Sequence, residues 1–339
     1  MRHRLHALLV GPALMAASCG PANTQNMLRP GGPAARTLAD TNVTVLLLFV
    51  GITVVMWVIL GWIPMRRRGT LAEHAPWNAA GDMRWVFIGG IAVPLVVLGG
   101  VYVLGLQTMS AFPMGDRAMQ PAPVIRIVGH QWWWEVQYLY GGVSTHVTDA
   151  NEVHIPAGQQ VDIALESRDV IHSFWVPELH GKVDLVPGIT NHIRVQADRP
   201  AIFRGECAEY CGPQHAHMVL LVRADAPADF ERWLIQARKP AREPVSESER
   251  RGRDVFMNGP CVVCHTIRGT AAHGLVGPDL THVGSRIGIA AQTLPNNIGT
   301  VEAWVTHAQS IKPHARMPSL TMFSGEEARA LAGYIRSLE

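Results

Sequence analysis

Two long apolar runs constrain the fold of this chain more than any other feature of its sequence. They cover Val43–Ile63 and Trp85–Leu106, and neither contains a charged side chain. Each is close to the roughly 20 residues that an α-helix needs to cross the apolar part of a bilayer. The sequence therefore predicts a transmembrane hairpin at about residues 40–107, in a chain of 339 residues that has room for further folded domains.

The arginines around these runs predict how the hairpin is oriented. The connection between the runs carries four of them, at positions 66, 67, 68 and 84, whereas the flank before the first run has only Arg29 and Arg36 nearby. Loops rich in arginine stay on the cytoplasmic side of a membrane. We therefore expect the connection in the cytoplasm and everything after Leu106 on the outer face.

The first residues have the pattern of a secretory leader. Arg2 and Arg4 precede the apolar run Leu5–Met15, and small residues lead to Cys19. This order is typical of a signal peptide, here residues 1–19. Cys19 also stands where bacterial lipoproteins are acylated, so its lipidation and its loss with the leader both stay open.

Beyond the hairpin the pattern changes to short β-prone segments broken by Gly, Pro, Asn and Asp. This region extends over residues 120–225 and predicts an antiparallel barrel or sandwich. The predicted strands are Val124–Val128, Trp132–Tyr138, Val161–Leu165, His192–Val195 and Met218–Val222.

The stretch Arg204–Met218 concentrates metal-binding side chains within this β region. Its soft donors are Cys207, Cys211, His215, His217 and Met218. Thiolate, imidazole and thioether together suit copper. A zinc site or a short Cys207–Cys211 disulfide are the alternatives, but zinc has no need of the methionine and a disulfide leaves the histidines without a role. His172, which alone would suggest a packed core histidine, becomes a further candidate ligand beside such a loop.

The C-terminal third carries a second cofactor motif. Charges and prolines at residues 226–245 indicate a linker that includes a short amphipathic helix, and a new helix is predicted from Ser246. Cys261-Val-Val-Cys264-His265 is the C-x-x-C-H pattern of covalent haem attachment, with His265 as the proximal iron ligand.

Other residues of this segment fit the same haem. The carbonyl of Pro278 is expected to orient the His265 ring. Met317, in a loop before a final amphipathic helix at Gly325–Leu338, is the candidate second axial ligand, because His/Met ligation suits an electron carrier. His307 and His314 are its rivals.

Three motifs behind the hairpin together resemble subunit II of haem-copper cytochrome c oxidases. They are His172-Ser-Phe-Trp-Val-Pro, Gly181-Lys-Val-Asp-Leu-Val-Pro-Gly and Cys207-Ala-Glu-Tyr-Cys-Gly-Pro-Gln-His-Ala-His-Met218. The resemblance implies a cupredoxin-like barrel that holds a binuclear copper centre of the CuA type. It also implies the ligand roles: Cys207 and Cys211 bridge both coppers, His172 and His215 each cap one, Met218 is a weak axial ligand, and Glu209 gives its backbone carbonyl. His217 has no ligand role in that pattern.

The same resemblance implies two further roles. The carboxylate of Glu209 points to a magnesium or manganese ion shared with the large catalytic subunit. Trp132, the first tryptophan of the run Gly129-His-Gln-Trp-Trp-Trp-Glu135, lies on the route by which electrons reach the copper. A tryptophan triplet could equally serve core packing and a partner face. The glutamate that family members carry before the second helix is absent, and whether Asp82 replaces it stays open.

Residues 246–339 resemble class I cytochrome c, and their fusion to subunit II resembles caa3-type oxidases. The expected fold is thus a two-helix transmembrane hairpin, an all-β cupredoxin-like barrel and an all-α cytochrome c domain. The implied location is the bacterial inner membrane, with both cofactor domains on the periplasmic face.

The resemblance also implies a route for the electrons. They would pass from an upstream donor, such as a cytochrome bc1-type complex or a soluble carrier, to haem c, to CuA and on to subunit I, which reduces oxygen to water. Subunit III and membrane lipid are further implied partners. The attached haem domain is expected to replace a diffusing encounter with a tethered one.

Two other functions remain as alternatives. The same relay could serve a nitric oxide reductase, or the chain could be a membrane-tethered copper-binding or copper-delivery protein. The net charge of +2 argues neither for nor against a nucleic-acid partner. No lysine- or arginine-rich patch with aromatic residues stands out in the sequence, and this argues against such a partner.

Overall fold

The computed structural model describes residues 25–66, 79–112, 125–139 and 147–339. The leader 1–19 with Cys19, and Arg67 and Arg68 of the connection, lie outside the described residues. The chain divides into two compact units, one of residues 34–113 and the other of residues 1–33 and 114–339.

The first unit contains the two apolar helices. Helix α1 covers Pro33–Arg66, and the second apolar segment consists of α2 (Ala79–Phe87), a π-helical turn (Ile88–Ala92) and α3 (Val93–Ser110). The spans Pro33–Ile63 and Met83–Ser110 are long and apolar enough to cross a membrane, with mean hydropathies of 2.9 and 2.3. The predicted pair of apolar helices is therefore confirmed.

Local chemistry explains the interruption in the second apolar segment. Pro94 is the second residue after the π-helical turn and has no N–H group to donate to that turn, and its ring crowds the carbonyl four residues earlier. A wider turn at this point accommodates the proline. Within the same unit, the hydroxyls of Thr41 and Thr108 lie 2.8 Å apart and join α1 to α3.

The β domain contains two five-stranded sheets. Their strand orders are β3-β2-β1-β5-β8 and β4-β10-β9-β6-β7. The strands are β1 (Ile125–His130), β2 (Trp133–Tyr138), β3 (Val147–Ala150), β4 (Glu152–Pro156), β5 (Val161–Ser167), β6 (His172–Trp175), β7 (Val183–Leu185), β8 (Asn191–Val195), β9 (Ala201–Cys207) and β10 (Val219–Asp225).

The faces of these sheets follow the alternation of side chains along a strand. In β2, Trp134, Val136 and Tyr138 are buried while the residues between them are half-buried. They join one apolar core with residues of the other sheet, including Phe174 and Phe203. Consecutive tryptophans of the triplet therefore have different environments, as the strand geometry predicts.

The sequence correctly places five of these strands to within three residues at either end, but the antiparallel expectation is incomplete. Strand β1 pairs in parallel with β5, and β4 pairs in parallel with β10. The chain changes sheets between β3 and β4 at Asn151, whose φ of 62° is a left-handed conformation that asparagine tolerates. Strand β4 was not predicted because all five of its residues, Glu152 and His154 included, are buried and show no alternation.

The C-terminal residues form the helical domain. Its helices are α5 (Glu247–Asn258), α6 (Cys261–Cys264), α7 (Ile298–Ile311) and α8 (Gly325–Ser337), and a two-stranded ribbon pairs β11 (Gly288–Ile289) with β12 (Leu294–Pro295). Ser246 caps α5 by accepting from Glu249 N, as its sequence predicts. Helix α4 (Pro227–Ala237), in the segment interpreted as a linker, packs Phe230 and Leu234 into the core of the β domain.

Helices α5 and α8 cross so closely that the contact requires a glycine. A Cβ added at Gly252 of α5 would lie against the backbone carbonyl of Ala330 and 2.7 Å from the Cβ of Tyr334. The backbone carbonyl cannot rotate away as the end of a flexible side chain could. The crossing of these two helices therefore depends on the missing side chain.

We expect Gly252→Ala to lower the free energy of unfolding of the helical domain by about 1–2 kcal/mol, because overpacking outweighs the gain in helix propensity. Gly333→Ala in α8 is the matched control, since a Cβ there has nothing within 4 Å. Denaturant unfolding followed by helical circular dichroism measures both. Equal midpoints for the two variants would contradict the close crossing.

Candidate functional site

The loop with the soft donors is held at both ends by a β ladder. Strand β9 ends at Cys207 and β10 begins at Val219, and the two strands pair antiparallel from Val219↔Glu206 onwards. The Cys207 amide donates to the carbonyl of Met218 at 3.1 Å, so the first and last donors of the loop lie side by side. A short 3₁₀ turn at His215–His217 completes the loop.

His172 is brought to this loop by strand pairing. It opens β6, which pairs with β9 so that Phe174 lies opposite Cys207. The Ala208 amide also donates to the Ser173 carbonyl at 3.0 Å. Backbone bonds on both sides of Cys207 therefore fix the position of a histidine that lies 35 residues earlier in the sequence.

The donors form a compact cluster around the two thiols. Cys207 Sγ lies 3.8 Å from Cys211 Sγ, 3.9 Å from His172 Nδ1 and 3.1 Å from the carbonyl oxygen of Glu209. Cys211 Sγ lies 3.6 Å from His215 Nδ1 and 3.8 Å from Met218 Sδ. The ligand atoms of His172, Cys207 and Cys211 alone could hold a metal ion, since all lie within 4.8 Å of one another.

The thiols are free and buried. A disulfide would bring the two sulfurs to about 2.05 Å, far shorter than the separation in this structure, and both cysteines are unpaired. The hydrogen bond between the two thiols lowers the pKa of Cys207 and raises the pKa of Cys211. The pair thus loses a first proton easily and a second one only when a cation balances the charge.

Asp169 orients His172, a role that the sequence did not reveal. His172 Nε2–H donates to Asp169 Oδ1 at 2.8 Å, which leaves the Nδ1 lone pair facing Cys207. Burial, the largest single effect, would lower the pKa of His172, but the hydrogen bonds and charges of Asp169 and Cys207 together outweigh it and raise that pKa. Asp169 also accepts from the Gln131 amide at 2.8 Å. The only signal in the sequence is a carboxylate three residues before the histidine.

The other loop residues differ in exposure. Glu209 directs its carbonyl at Cys207, while the residue as a whole is exposed. His217 is exposed, and its ring Nδ1 lies 2.7 Å from Gln214 Oε1, outside the donor cluster. His172, Cys207, Cys211 and Met218 are all buried.

The donor set suits copper better than zinc. A structural zinc ion takes four ligands in a tetrahedron, whereas this cluster offers two thiols, two imidazoles, a thioether and a carbonyl. Two of these are soft sulfur donors at the centre, with the other donors distributed around them. The residues therefore fit a pair of soft, thiolate-bound metal ions.

The haem motif borders a cavity in the helical domain. Cys261, Cys264, His265 and Met317 all line it, together with apolar side chains such as Val301 and Ile335. Both cysteines are free thiols. His307 and His314, the rivals of Met317, are not among the described residues that line the cavity. The cavity therefore presents two thiols, an imidazole and a thioether to one apolar space, which fits a haem.

His265 is oriented by its surroundings as the sequence predicts. Its Nδ1–H donates to the Pro278 carbonyl at 2.8 Å, so Nε2 keeps the lone pair that a metal needs. Burial lowers the pKa of His265 and favours the neutral ring. A Cβ at Gly277 would lie 2.6 Å from the ring, so this glycine is required by close approach.

Trp132 lies between the two sites. It lines the cavity of the helical domain, and its Nε1–H donates to the carbonyl of Cys211 at 3.0 Å. Its side chain is buried, with 7% exposed. One indole therefore contacts both the haem cavity and the backbone of a thiol residue in the metal cluster.

Comparison with known proteins agrees with this geometry. Residues 123–225 match the family described as "Cytochrome C oxidase subunit II, periplasmic domain", and residues 249–339 match the cytochrome c family. The first family implies CuA copper and the second implies haem.

Two of the relatives resemble the chain over nearly its whole length. Cytochrome c oxidase subunit 2 of Alkalihalophilus pseudofirmus is 33% identical over 92% of this chain and 90% of its own. Cytochrome c oxidase subunit 2 of Bacillus subtilis is 28% identical over 99% of this chain and 98% of its own. The solved periplasmic domain of subunit II from Bradyrhizobium japonicum is 27% identical over 34% of this chain and 93% of its own, with a TM-score of 0.32. The chain therefore belongs to the cytochrome c oxidase subunit II family and carries a cytochrome c domain at its C-terminus.

Proposed function

We propose that this subunit accepts electrons at haem c, passes them to CuA and delivers them to the haem-copper catalytic subunit that reduces oxygen to water. The observation that carries the proposal is the position of Trp132, which borders the haem cavity and donates a hydrogen bond to Cys211. The residues that would hold the two redox groups thereby face each other across a single side chain. A copper-delivery protein has no evident need of such an arrangement.

Six residues of the β domain would hold the copper pair. Cys207 and Cys211 are suited to bridge, because their sulfurs lie at the centre of the cluster, and the other donors lie around them: His172, His215, Met218 and the carbonyl of Glu209. Two bridging thiolates would let one electron spread over both metal ions. The donors are held by the ladder between β9 and β10 and by β6, so little needs to move when the charge changes.

Four residues of the helical domain would hold the haem. Cys261 and Cys264 would form the thioether bonds, and His265 would ligate iron through Nε2. Met317, on the wall of the same cavity, would be the second axial ligand, and this pairing raises a haem's potential.

The exposed carboxylate of Glu209 suits a magnesium or manganese ion shared with the large subunit, because hard cations prefer oxygen ligands. Its carbonyl faces the copper cluster, so one residue would connect the two metal sites. We propose this role as an extension of the copper assignment.

The apolar helices suit an anchor in the bacterial inner membrane, with the arginine-rich connection in the cytoplasm and both cofactor domains in the periplasm. The apolar side chains on α1 and α3 are exposed, including Trp57, Leu95 and Val96. They would contact lipid, the large subunit I and subunit III. A cytochrome bc1-type complex or a soluble carrier would then donate electrons from the periplasmic side.

Replacing Cys207 and Cys211 by serine should abolish copper binding and oxygen uptake by the purified complex, while the haem spectrum stays intact. The hydroxyls cannot replace two soft bridging thiolates. Tyr210→Phe is the control, since this exposed residue lies between the two cysteines and is not one of the donors. Unchanged oxygen uptake in the double variant would exclude the proposed route, and nitric oxide uptake measured in parallel tests the alternative acceptor.

Asp169→Asn should lower copper affinity about 10- to 100-fold, because the amide no longer fixes the orientation and tautomer of His172. Asp184→Asn removes the same charge from an exposed position of the neighbouring strand β7. Copper release to a graded chelator compares the two variants. Equal release would show that Asp169 has no part in the copper site.

Met317→Leu should lower the haem potential by roughly a tenth or more of the ~0.8 V range that axial ligation covers. The apolar side chain fills a similar volume but cannot bind iron. Met322→Leu, at an exposed position of the following segment, is the control. Redox titration of the haem band measures both, and equal potentials would rule out Met317 as the axial ligand.

A further inference from the structure

A buried lysine joins the helical domain to the β domain beside both redox sites. Lys312 follows α7 and is only 3% exposed. Its Nζ donates to three carbonyl oxygens: that of Trp132 at 2.8 Å, that of His217 at 2.7 Å and that of Ala290 at 3.1 Å. The first two belong to the β domain and the third to the helical domain, so one ammonium group connects both.

These bonds use the full donor capacity of the side chain. An ammonium group has three donors and no acceptor, and here each donor meets a backbone carbonyl. Taking such a group out of water is costly unless every donor is satisfied. Burial lowers the pKa of Lys312 to about 7. The lysine therefore lies in a site whose acceptors are fixed by the backbone of two domains.

The acceptors lie at functional positions. His217 lies between the donors His215 and Met218, and Trp132 is the residue that contacts both sites. Five residues after the lysine, Met317 enters the haem cavity. The side chain of Lys312 therefore bonds to the backbone of the metal loop and of Trp132. The segment that follows Lys312 in the chain forms part of the wall of the haem cavity.

The β domain contributes a buried charged side chain in the opposite direction. Glu152 of β4 is 3% exposed, and its Oε1 accepts from the amides of Ile287 at 2.7 Å and Gly288 at 3.3 Å, and from Gln292 Nε2 at 3.0 Å. All three donors belong to the helical domain. Burial raises the pKa of Glu152, as expected for a carboxylate enclosed by an interface.

An ion pair reinforces this interface. The Arg286 Nε donates to Asp149 Oδ1 at 2.7 Å, and the arginine is itself buried, with 8% exposed. Each domain thus inserts a charged side chain into the other and satisfies it largely with backbone groups. Contacts of this kind require one relative position of the domains, because backbone donors and acceptors cannot adjust as flexible side chains do.

We propose that Lys312 is a positioning residue for electron transfer within the chain, which locks the haem cavity against Trp132 and the metal loop. The proposal rests on the proposed function and makes it more specific. The haem domain is then held in one position against the β domain. In a tethered encounter, by contrast, it would move on its linker before each transfer. A docked path needs no domain diffusion before each transfer.

The first test measures docking without any redox reaction. The chain has three lysines, and Lys182 and Lys239 are exposed. An amine-acetylating reagent applied to the purified full chain should modify these two quickly and Lys312 slowly, as quantified by peptide mass spectrometry. Removing the anchors on the other domain, in the double variant Asp149→Asn and Glu152→Gln, should accelerate acetylation of Lys312 alone.

Equal acetylation of all three lysines in the unaltered chain would overturn the proposal. Continued protection of Lys312 in the double variant would show that its own bonds hold the interface without the two acidic anchors, which supports the proposal. Each result is independent of whether electrons flow from haem to copper.

The second test measures electron transfer in the complete complex. After rapid photoreduction of the haem, its reoxidation by the copper centre should be independent of glycerol viscosity in the unaltered protein and in the control Lys239→Met. In Lys312→Met the transfer should become viscosity-dependent and about tenfold slower or more, because the observed rate scales with the docked fraction. Unshifted haem and copper spectra show that both sites remain folded.

A Lys312→Met rate equal to that of the control, without viscosity dependence, would overturn the positioning role. Where that variant does not assemble its cofactors, Glu152→Gln provides the same comparison from the other domain. If the unaltered protein shows no transfer from haem to copper at all, the proposed function fails, while the acetylation test still decides whether the domains are docked.

Discussion

The pairing of β9 with its two neighbours is the constraint on which the donor cluster of the β domain depends. One neighbour, β10, returns the chain so that Met218 lies beside Cys207. The other neighbour, β6, brings His172 to the same thiol. Backbone hydrogen bonds thus set the spacing of the donors before any metal is present, and the donor side chains extend from a scaffold that has little freedom to relax.

Burial of the two thiols determines how much charge the donor cluster can carry. The thiols lie in the apolar core of the β domain, where charge is expensive unless it is paired. The hydrogen bond between Cys207 and Cys211 and the bond between His172 and Asp169 pair the charges that these buried groups carry. A cation that replaces the proton would be held by groups that are already oriented, and Asp169 extends this orientation to Gln131 next to Trp132.

The interface between the β domain and the helical domain uses the same kind of interaction. Lys312 and Glu152 are buried charges that each meet groups of the opposite domain, mostly backbone. Trp132 accepts one of these bonds, borders the haem cavity and donates to the carbonyl of Cys211. A fused haem domain could in principle remain mobile on its linker, but helix α4 packs into the β core and the buried charges add fixed contacts. The linker and the contacts between the domains therefore both hold the haem domain beside the β domain.

Much of this protein was determined by its sequence alone. Charge-free runs of bilayer length required apolar helices. The donor residues of the Arg204–Met218 loop and of the C-x-x-C-H motif were recognisable because ligands that are close in sequence stay close in any fold. The parallel pairings, the buried strand β4 and the bond from Asp169 to His172 depended on how distant segments pack. Lys312 and Trp132 are 180 residues apart, and no local pattern marks a lysine whose partners are backbone carbonyls. Only the tertiary structure decided that contact, because backbone acceptors carry no sequence signal and acquire their positions only when both domains have folded.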